Sequence, residues 1–244
     1  MSHAPPRLPT VSTLAANALW LTTCVAEARR FEAGSHRLEI EQRAVLRRVL
    51  RGAERTEVGR RYGLCADMSA EQFAAAVPMH HYEDLEDDIG RMAAGERDVL
   101  VPGSPCLFEP TGGSTGGTKS VPVTLASRKE FSRAIDPWIA DTFRTHPQLL
   151  SSCSYFSLSP VAPPVAVTDG GIRIGFDTDE EYFGVVQRRL ASAVQAVPSD
   201  VRLLDDMGTF RYVAAAFLLS RSDLGLISVW NPTFMTSLLD TIHE

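Results

Sequence analysis

Nine consecutive residues, Thr111-Gly112-Gly113-Ser114-Thr115-Gly116-Gly117-Thr118-Lys119, hold four glycines, four hydroxyl side chains and one lysine. Glycine lets the backbone adopt positive φ and has no side chain to bury. The flanks are different: Cys106-Leu-Phe-Glu-Pro110 and Val121-Pro-Val-Thr124 read as short strands. The expected unit is strand, loop, strand. Glycine lets the backbone approach a ligand closely, successive N–H groups turned inward form an anion-binding concavity, and hydroxyls and a lysine add donors and charge. That donor set suits a triphosphate. Two of the 24 basic residues are lysines, Lys119 and Lys129, so a lysine closing the loop is not simply what the composition supplies.

Known phosphate loops test the register. A Walker A loop needs G-x-x-x-x-G-K-[ST], but Thr118 follows Gly117 and pushes the lysine one position late; starting from Gly113 puts Thr118 where a glycine must stand. The dinucleotide fingerprint G-x-G-x-x-G also fails. A serine/threonine-glycine loop ending in lysine remains, and it resembles the phosphate-binding motif of adenylate-forming enzymes, with Thr118 where many members carry proline.

The rest of the chain sets the class. The 244 residues are 44% hydrophobic and 22% charged, which excludes dominant disorder and gives enough apolar surface for a substantial core. A net charge of −6 lacks the basic footprint of a nucleic-acid binder. Cys24, Cys65, Cys106 and Cys153 lie far apart with no C-x-x-C, which predicts reduced thiols in a cytoplasmic protein rather than disulfides or zinc. Leu14 to Ala26 lacks the basic start and the apolar middle of a signal peptide, and Val213 to Trp230, broken by Arg221 and Asp223, fails as a membrane span.

Residues 1–100 read as a mainly helical segment and 101–244 as an incomplete α/β subdomain carrying the loop. Helices are predicted over Leu14 to Ala26, Glu39 to Arg51 with a stripe of Ile40, Val45, Leu46 and Leu50, and Glu83 to Ala94 ending at Gly95. Ser69-Ala-Glu-Gln72 has the form of a capping box before Phe73. Further helices are predicted over Arg128 to Thr145, kinked near Pro137, over Glu180 to Val197 and over Thr209 to Ser220. Ser154 to Ser159 and Leu226 to Trp230 read as strands, the latter buried, and Val165 to Ile174 as a hairpin about Asp169-Gly170. Asn231-Pro232 opens a last helix. The fold class is α/β: a helical N-terminal segment, then mixed β-sheet layers with helices.

Several motifs are set aside. His80-His81 lacks the aspartate and glycine of a condensation motif and reads as a helix start; Asp177 to Glu181 lacks the glycine and glutamate of a calcium loop.

An ordered series of segments is more specific than the loop. Phe108 to Lys119, Val121 to Thr124, Ser154 to Pro160, Gly170 to Asp177 and Ile227 to Thr233 follow Arg60-Arg-Tyr-Gly63 and Tyr82-Glu-Asp-Leu85. From about Leu14 onward the series resembles the GH3 auxin-responsive promoter family in its bacterial form, related to acyl-acid amido synthetases. The resemblance implies part of an adenylate-forming (ANL-like) large domain and a two-step ligase using ATP and Mg2+. A small-molecule carboxylic acid attacks the α-phosphorus to give an acyl-adenylate, and an amine such as an amino acid, or a thiol, then displaces AMP. It implies nucleotide contacts from Thr111, Gly112, Gly113, Ser114, Thr115, Gly116, Gly117, Thr118 and Lys119. Asn231 and Thr233 stand near the acyl pocket or form an ordinary helix cap, the favoured reading. Family chains are longer, so the C-terminal half with its magnesium ligand is expected to be missing and the chain inactive alone, with an uncovered edge that invites self-association. The alternative is a non-catalytic remnant that binds an acyl ligand, nucleotide or partner protein.

Overall fold

Trp20 explains why the first helix is held. In a computed structural model that describes residues 11–112, 118–158, 166–175, 185–229 and 231–243, α1 spans Val11–Ser35 and buries Thr13, Asn17, Trp20, Cys24 and Ala28 on one stripe. Their spacing of three and four residues is the helical repeat. Two further elements meet that stripe: α6, Leu125–Thr145, through Ile139, Ala140 and Phe143, and a four-residue strand, Cys153–Phe156, through Phe156. The Trp20 ring stands edge-on to Phe143 at 6.1 Å and tilted to Phe156 at 5.7 Å. Each such buried ring contributes about 2–3 kcal/mol from area alone.

Between α1 and α6 the chain forms α2 (Leu38–Ala53), α3 (Glu57–Arg61), α4 (Ala70–Ala76), a 3₁₀ turn at Tyr82–Leu85, α5 (Glu86–Ala93), β1 (Leu107–Gly112) and β2 (Thr118–Val123). After α6 come β3 (Cys153–Phe156), α7 (Val185–Val194), α8 (Met207–Leu219), β4 (Leu224–Ser228) and α9 (Pro232–His243). β1 and β2 are antiparallel, and β3 and β4 are parallel, each pair a sheet of two strands among the described residues. The fold is mixed α/β and mostly helical, with small sheets.

The chain divides into two compact units. One comprises Met1–Arg30, Lys129–Pro163 and Asp177–Glu244; the other comprises Phe31–Arg128 and Pro164–Phe176. In the first, a second cluster joins Tyr155, Leu158, Val197, Phe210 and Leu238, packing α8 and α9 beside β3. In the second, Ile89, Met92, Val99 and Phe108 form the core, with Tyr82, Leu85 and Ile172 against it.

Local signals account for most boundaries. The capping box at α4 forms as read: Ser69 Oγ accepts the Gln72 N–H at 3.2 Å and Gln72 Oε1 accepts the Ser69 N–H at 2.8 Å. Gly95 ends α5 at φ +100°, a conformation other residues avoid. α6 starts at Leu125, earlier than Arg128, because Thr124 and Ser127 cap each other's backbone N–H groups at 2.9 and 3.0 Å. The expected helix from Glu83 to Ala94 is two elements, since Leu85 at φ −109° and ψ −4° breaks the α-ladder between them. β4 is half-buried with alternate residues exposed rather than buried throughout. The stripe on α2 buries Leu50, while Ile40 and Val45 face outward. The reading of Val165 to Ile174 as a hairpin reduces to a bridge between Val167 and Arg173 closed by a turn at Thr168–Gly171. Val165, Asp177 to Glu181 and Trp230 lie outside the described residues.

Candidate functional site

The β1–β2 ladder fixes the two ends of the glycine-rich segment. Thr111 stands opposite Lys119 and Gly112 opposite Thr118, so both strands lead directly into Gly113, Ser114, Thr115, Gly116 and Gly117, which lie outside the described residues. The strands form because Leu107 and Phe108, each 1% exposed, anchor one of them in the core of their unit. The Thr111 hydroxyl donates to the Lys119 carbonyl at 3.4 Å across the ladder's end.

Lys119 makes the side-chain contacts that tie the loop to the rest of its unit. Its Nζ donates to Glu83 Oε1 at 3.2 Å and lies 5.0 Å from the centroid of the Tyr82 ring. The Glu83 carboxyl is held below its usual range, first by its own backbone N–H and then by the Lys119 ammonium. Tyr82 reaches β2 as well: its hydroxyl accepts the Ser120 N–H at 2.9 Å and donates to the Ser120 carbonyl at 3.4 Å. Sequence reasoning placed Glu83 only as an acid at a helix start. A pairing 36 residues away has no signature in local spacing.

A second charged cluster joins two helices of the same unit. Glu57, Arg61, Asp88, Arg91 and Glu96 pair among themselves and tie α3 to α5, with Asp88 bonded by both arginines. Hydrogen bonding to Arg91 is the main reason the Glu57 carboxyl falls to about 2. His81 and His80 serve the 3₁₀ turn and its neighbour: the His81 N–H bonds Asp84 at 2.7 Å, and His80 Nε2 meets the Tyr62 hydroxyl at 3.0 Å. Asn231 Oδ1 accepts the Thr233 N–H at 2.8 Å, the helix-cap arrangement, and Thr233 is exposed. The four cysteines are free; burial pushes the Cys24 thiol up to about 12 and raises Cys153, so neither is a ready thiolate. A cleft of about 650 Å³ runs between α2 and residues 66–71, lined by Glu39, Arg43, Arg47 and Asp67 among others, and includes no loop residue. Among the described residues no helix is long and apolar enough to cross a membrane, and no three histidine, cysteine or acidic side chains converge as a metal site.

The GH3 family N-terminal domain matches residues 27–244. "Probable indole-3-acetic acid-amido synthetase GH3.1" of Arabidopsis thaliana is 31% identical over 102 residues, covering 41% of this chain and 17% of that protein. "Indole-3-acetic acid-amido synthetase GH3.3" of the same plant is 28% identical over 105 residues, covering 43% and 18%. Among solved structures, GH3.15 acyl acid amido synthetase aligns over 88% of this chain and 37% of its own, with TM-score 0.68 and 18% identity. Its complex with 2,4-DB aligns over 91% and 38%, with TM-score 0.70 and 15% identity. The chain thus spans well under half the length of these relatives, and the solved ones share its fold. A family match over nearly the whole length, on a fold shared with an acyl acid amido synthetase, leads to one conclusion: the chain belongs to the GH3 family, as the N-terminal portion of its fold.

Proposed function

We propose that this chain supplies the phosphate-gripping portion of an ATP-dependent acyl-acid ligase. The observation that carries the reading is the β1–β2 hairpin, whose strands lead a glycine-hydroxyl loop into Lys119 within a GH3 domain. The reaction has two steps. A carboxylate oxygen attacks the α-phosphorus of ATP, the bond to the β-phosphate breaks, and pyrophosphate leaves; an amine such as that of an amino acid then attacks the acyl carbon and AMP leaves. Thr111, Gly112, Gly113, Ser114, Thr115, Gly116, Gly117 and Thr118 offer N–H and hydroxyl donors to the β- and γ-phosphates. Lys119 balances the charge that develops on the leaving pyrophosphate. Such fixed donors work by stabilising charge where it appears in the transition state, without reorganising at that moment.

Mg2+ is proposed as the companion of ATP in the whole protein; among the described residues no three histidine, cysteine or acidic side chains converge as a metal site. Because the relatives with known fold are matched over 37% and 38% of their length, the activity is proposed for the whole protein. The 244 residues alone are proposed to fall short of turnover. A cytoplasmic setting and self-association along the outer edge of β4, where Ile227 is 39% exposed, belong to the same proposal.

Carboxylate-dependent exchange of labelled pyrophosphate into ATP tests it, using the protein as its gene encodes it and a panel of acids that includes indole-3-acetate and 2,4-DB. Exchange with at least one acid, and none without acid, is the expected result. ATP binding with no exchange across the panel would establish a non-catalytic binder instead.

A further inference from the structure

Tyr82 touches the end of the loop with two different parts of one side chain. Its ring lies beneath the Lys119 ammonium, 5.0 Å from Nζ to centroid, and its hydroxyl takes the Ser120 N–H at 2.9 Å and returns a donor to the Ser120 carbonyl at 3.4 Å. Ser120 stands opposite Pro110 in the ladder, and both its N–H and its C=O are met by the Tyr82 hydroxyl. Tyr82 is itself anchored, because the 3₁₀ turn at Tyr82–Leu85 packs against the Ile89, Met92 and Phe108 cluster. One rigid side chain thereby fixes both the backbone beside Lys119 and the face on which its ammonium rests.

Glu83 is the adjoining residue, and its contact differs in kind. The carboxylate side chain is 64% exposed and the lysine 33%, so the 3.2 Å ion pair is wet and weakly held. A triphosphate brings several charges and many acceptor oxygens to the same ammonium, and it outcompetes a single solvated carboxylate.

We propose that Tyr82 is a positioning residue that aims Lys119 at the nucleotide, and that Glu83 is its resting counter-ion, exchanged for phosphate oxygens when the nucleotide enters. This assignment deepens the phosphate reading given above and rests on it.

The chain's two lysines make the test direct. Amine-selective labelling read by mass spectrometry, with Lys129 as internal reference, gives the ATP concentration that half-protects Lys119 in the protein as its gene encodes it. Tyr82→Leu removes ring and hydroxyl and is expected to raise that midpoint about two- to fivefold, the range of a partly exposed cation–π contact. Tyr82→Phe restores the ring and recovers part of the shift. Glu83→Gln moves the other way, lowering the midpoint about two- to fivefold as the competing charge is lost. A merely structural role would weaken protection in every variant or in none. An unshifted midpoint in Tyr82→Leu, or a raised one in Glu83→Gln, overturns the positioning role while leaving wild-type protection intact. Absence of protection in the wild-type protein overturns the phosphate reading, and the positioning role with it. Should Tyr82→Leu not fold, Tyr82→Phe and Glu83→Gln carry the comparison: opposite shifts support the proposal, and shifts of one sign or none overturn it.

Discussion

Asp136 is a carboxylate 6% exposed, one residue before Pro137 in α6, with the Cys24 thiol 3.6 Å from its Oδ1. Burial raises its pKa, the nearby Glu27 charge adds to the rise, and the thiol hydrogen bond opposes it. A carboxyl raised on folding contributes stability below its unfolded pKa and loses it as pH climbs through the folded value. The Glu57 carboxyl has the opposite sign, its contribution present above the ordinary value of 4.5 and lost as pH falls toward about 2. Comparison of wild type with Asp136→Asn at each pH isolates the buried group. The variant is expected to melt higher at pH 7 by about 2–4 °C, with the gap closing toward pH 4, as read by thermal denaturation. An advantage that grows toward acid would contradict the assignment. Asn17 shows what residue patterns conceal. Fully buried on α1, its Nδ2 lies within hydrogen-bond reach of the Leu149, Leu150 and Ser152 carbonyls at 2.9–3.1 Å, closing the 3₁₀ turn at Pro147–Ser151. In sequence it is an ordinary polar residue in an apolar run. Thr124 and Ser127 were closer to legible, since a hydroxyl three residues before another is a variant of the capping box.

Elements with self-contained signals were read from sequence, and those set by distant partners were not. The flanking strands of the loop, the capping box at Ser69 and the stop at Gly95 depend on local chemistry, and each forms. The exposure of α2 and the half-burial of β4 depend on what packs beside them, which no window of sequence reports. The turn at Thr168–Gly171 is a case of the second kind. Its Gly170 N–H bonds the Ala93 carbonyl at the end of α5, and a Cβ on Gly170 would lie 2.5 Å from the Gly95 nitrogen and 2.7 Å from the Ala93 oxygen. Both are backbone atoms, with no flexible side chain to yield. Gly170→Ala should therefore cost about 1–3 kcal/mol in chemical denaturation. Gly171→Ala is strained for a different reason, its φ of +75°, and meets no neighbour. Equal stability of Gly170→Ala and wild type would show that this turn does not dock on α5 as described.

For the molecule as a whole, the loop carried the functional reading further than composition or charge. Acidic balance and scattered cysteines exclude classes; only the ordered segments around Thr111 to Lys119 point to one chemistry. The family match agrees with the ordered series of segments, and the solved relatives share the fold. The contacts that seat Lys119, on Tyr82 and Glu83, emerge only in three dimensions, because the hairpin brings residue 119 against a turn 36 residues earlier. The role proposed for Lys119 is in acyl-adenylate formation. Trapping the activated acyl group with hydroxylamine, in the protein as its gene encodes it, measures that step directly. The expected result is ATP- and carboxylate-dependent acyl-hydroxamate in the wild type and a loss of about a hundredfold or more in Lys119→Ala, the scale for removing one transition-state charge contact. Hydroxamate formed at the same rate by Lys119→Ala would contradict it.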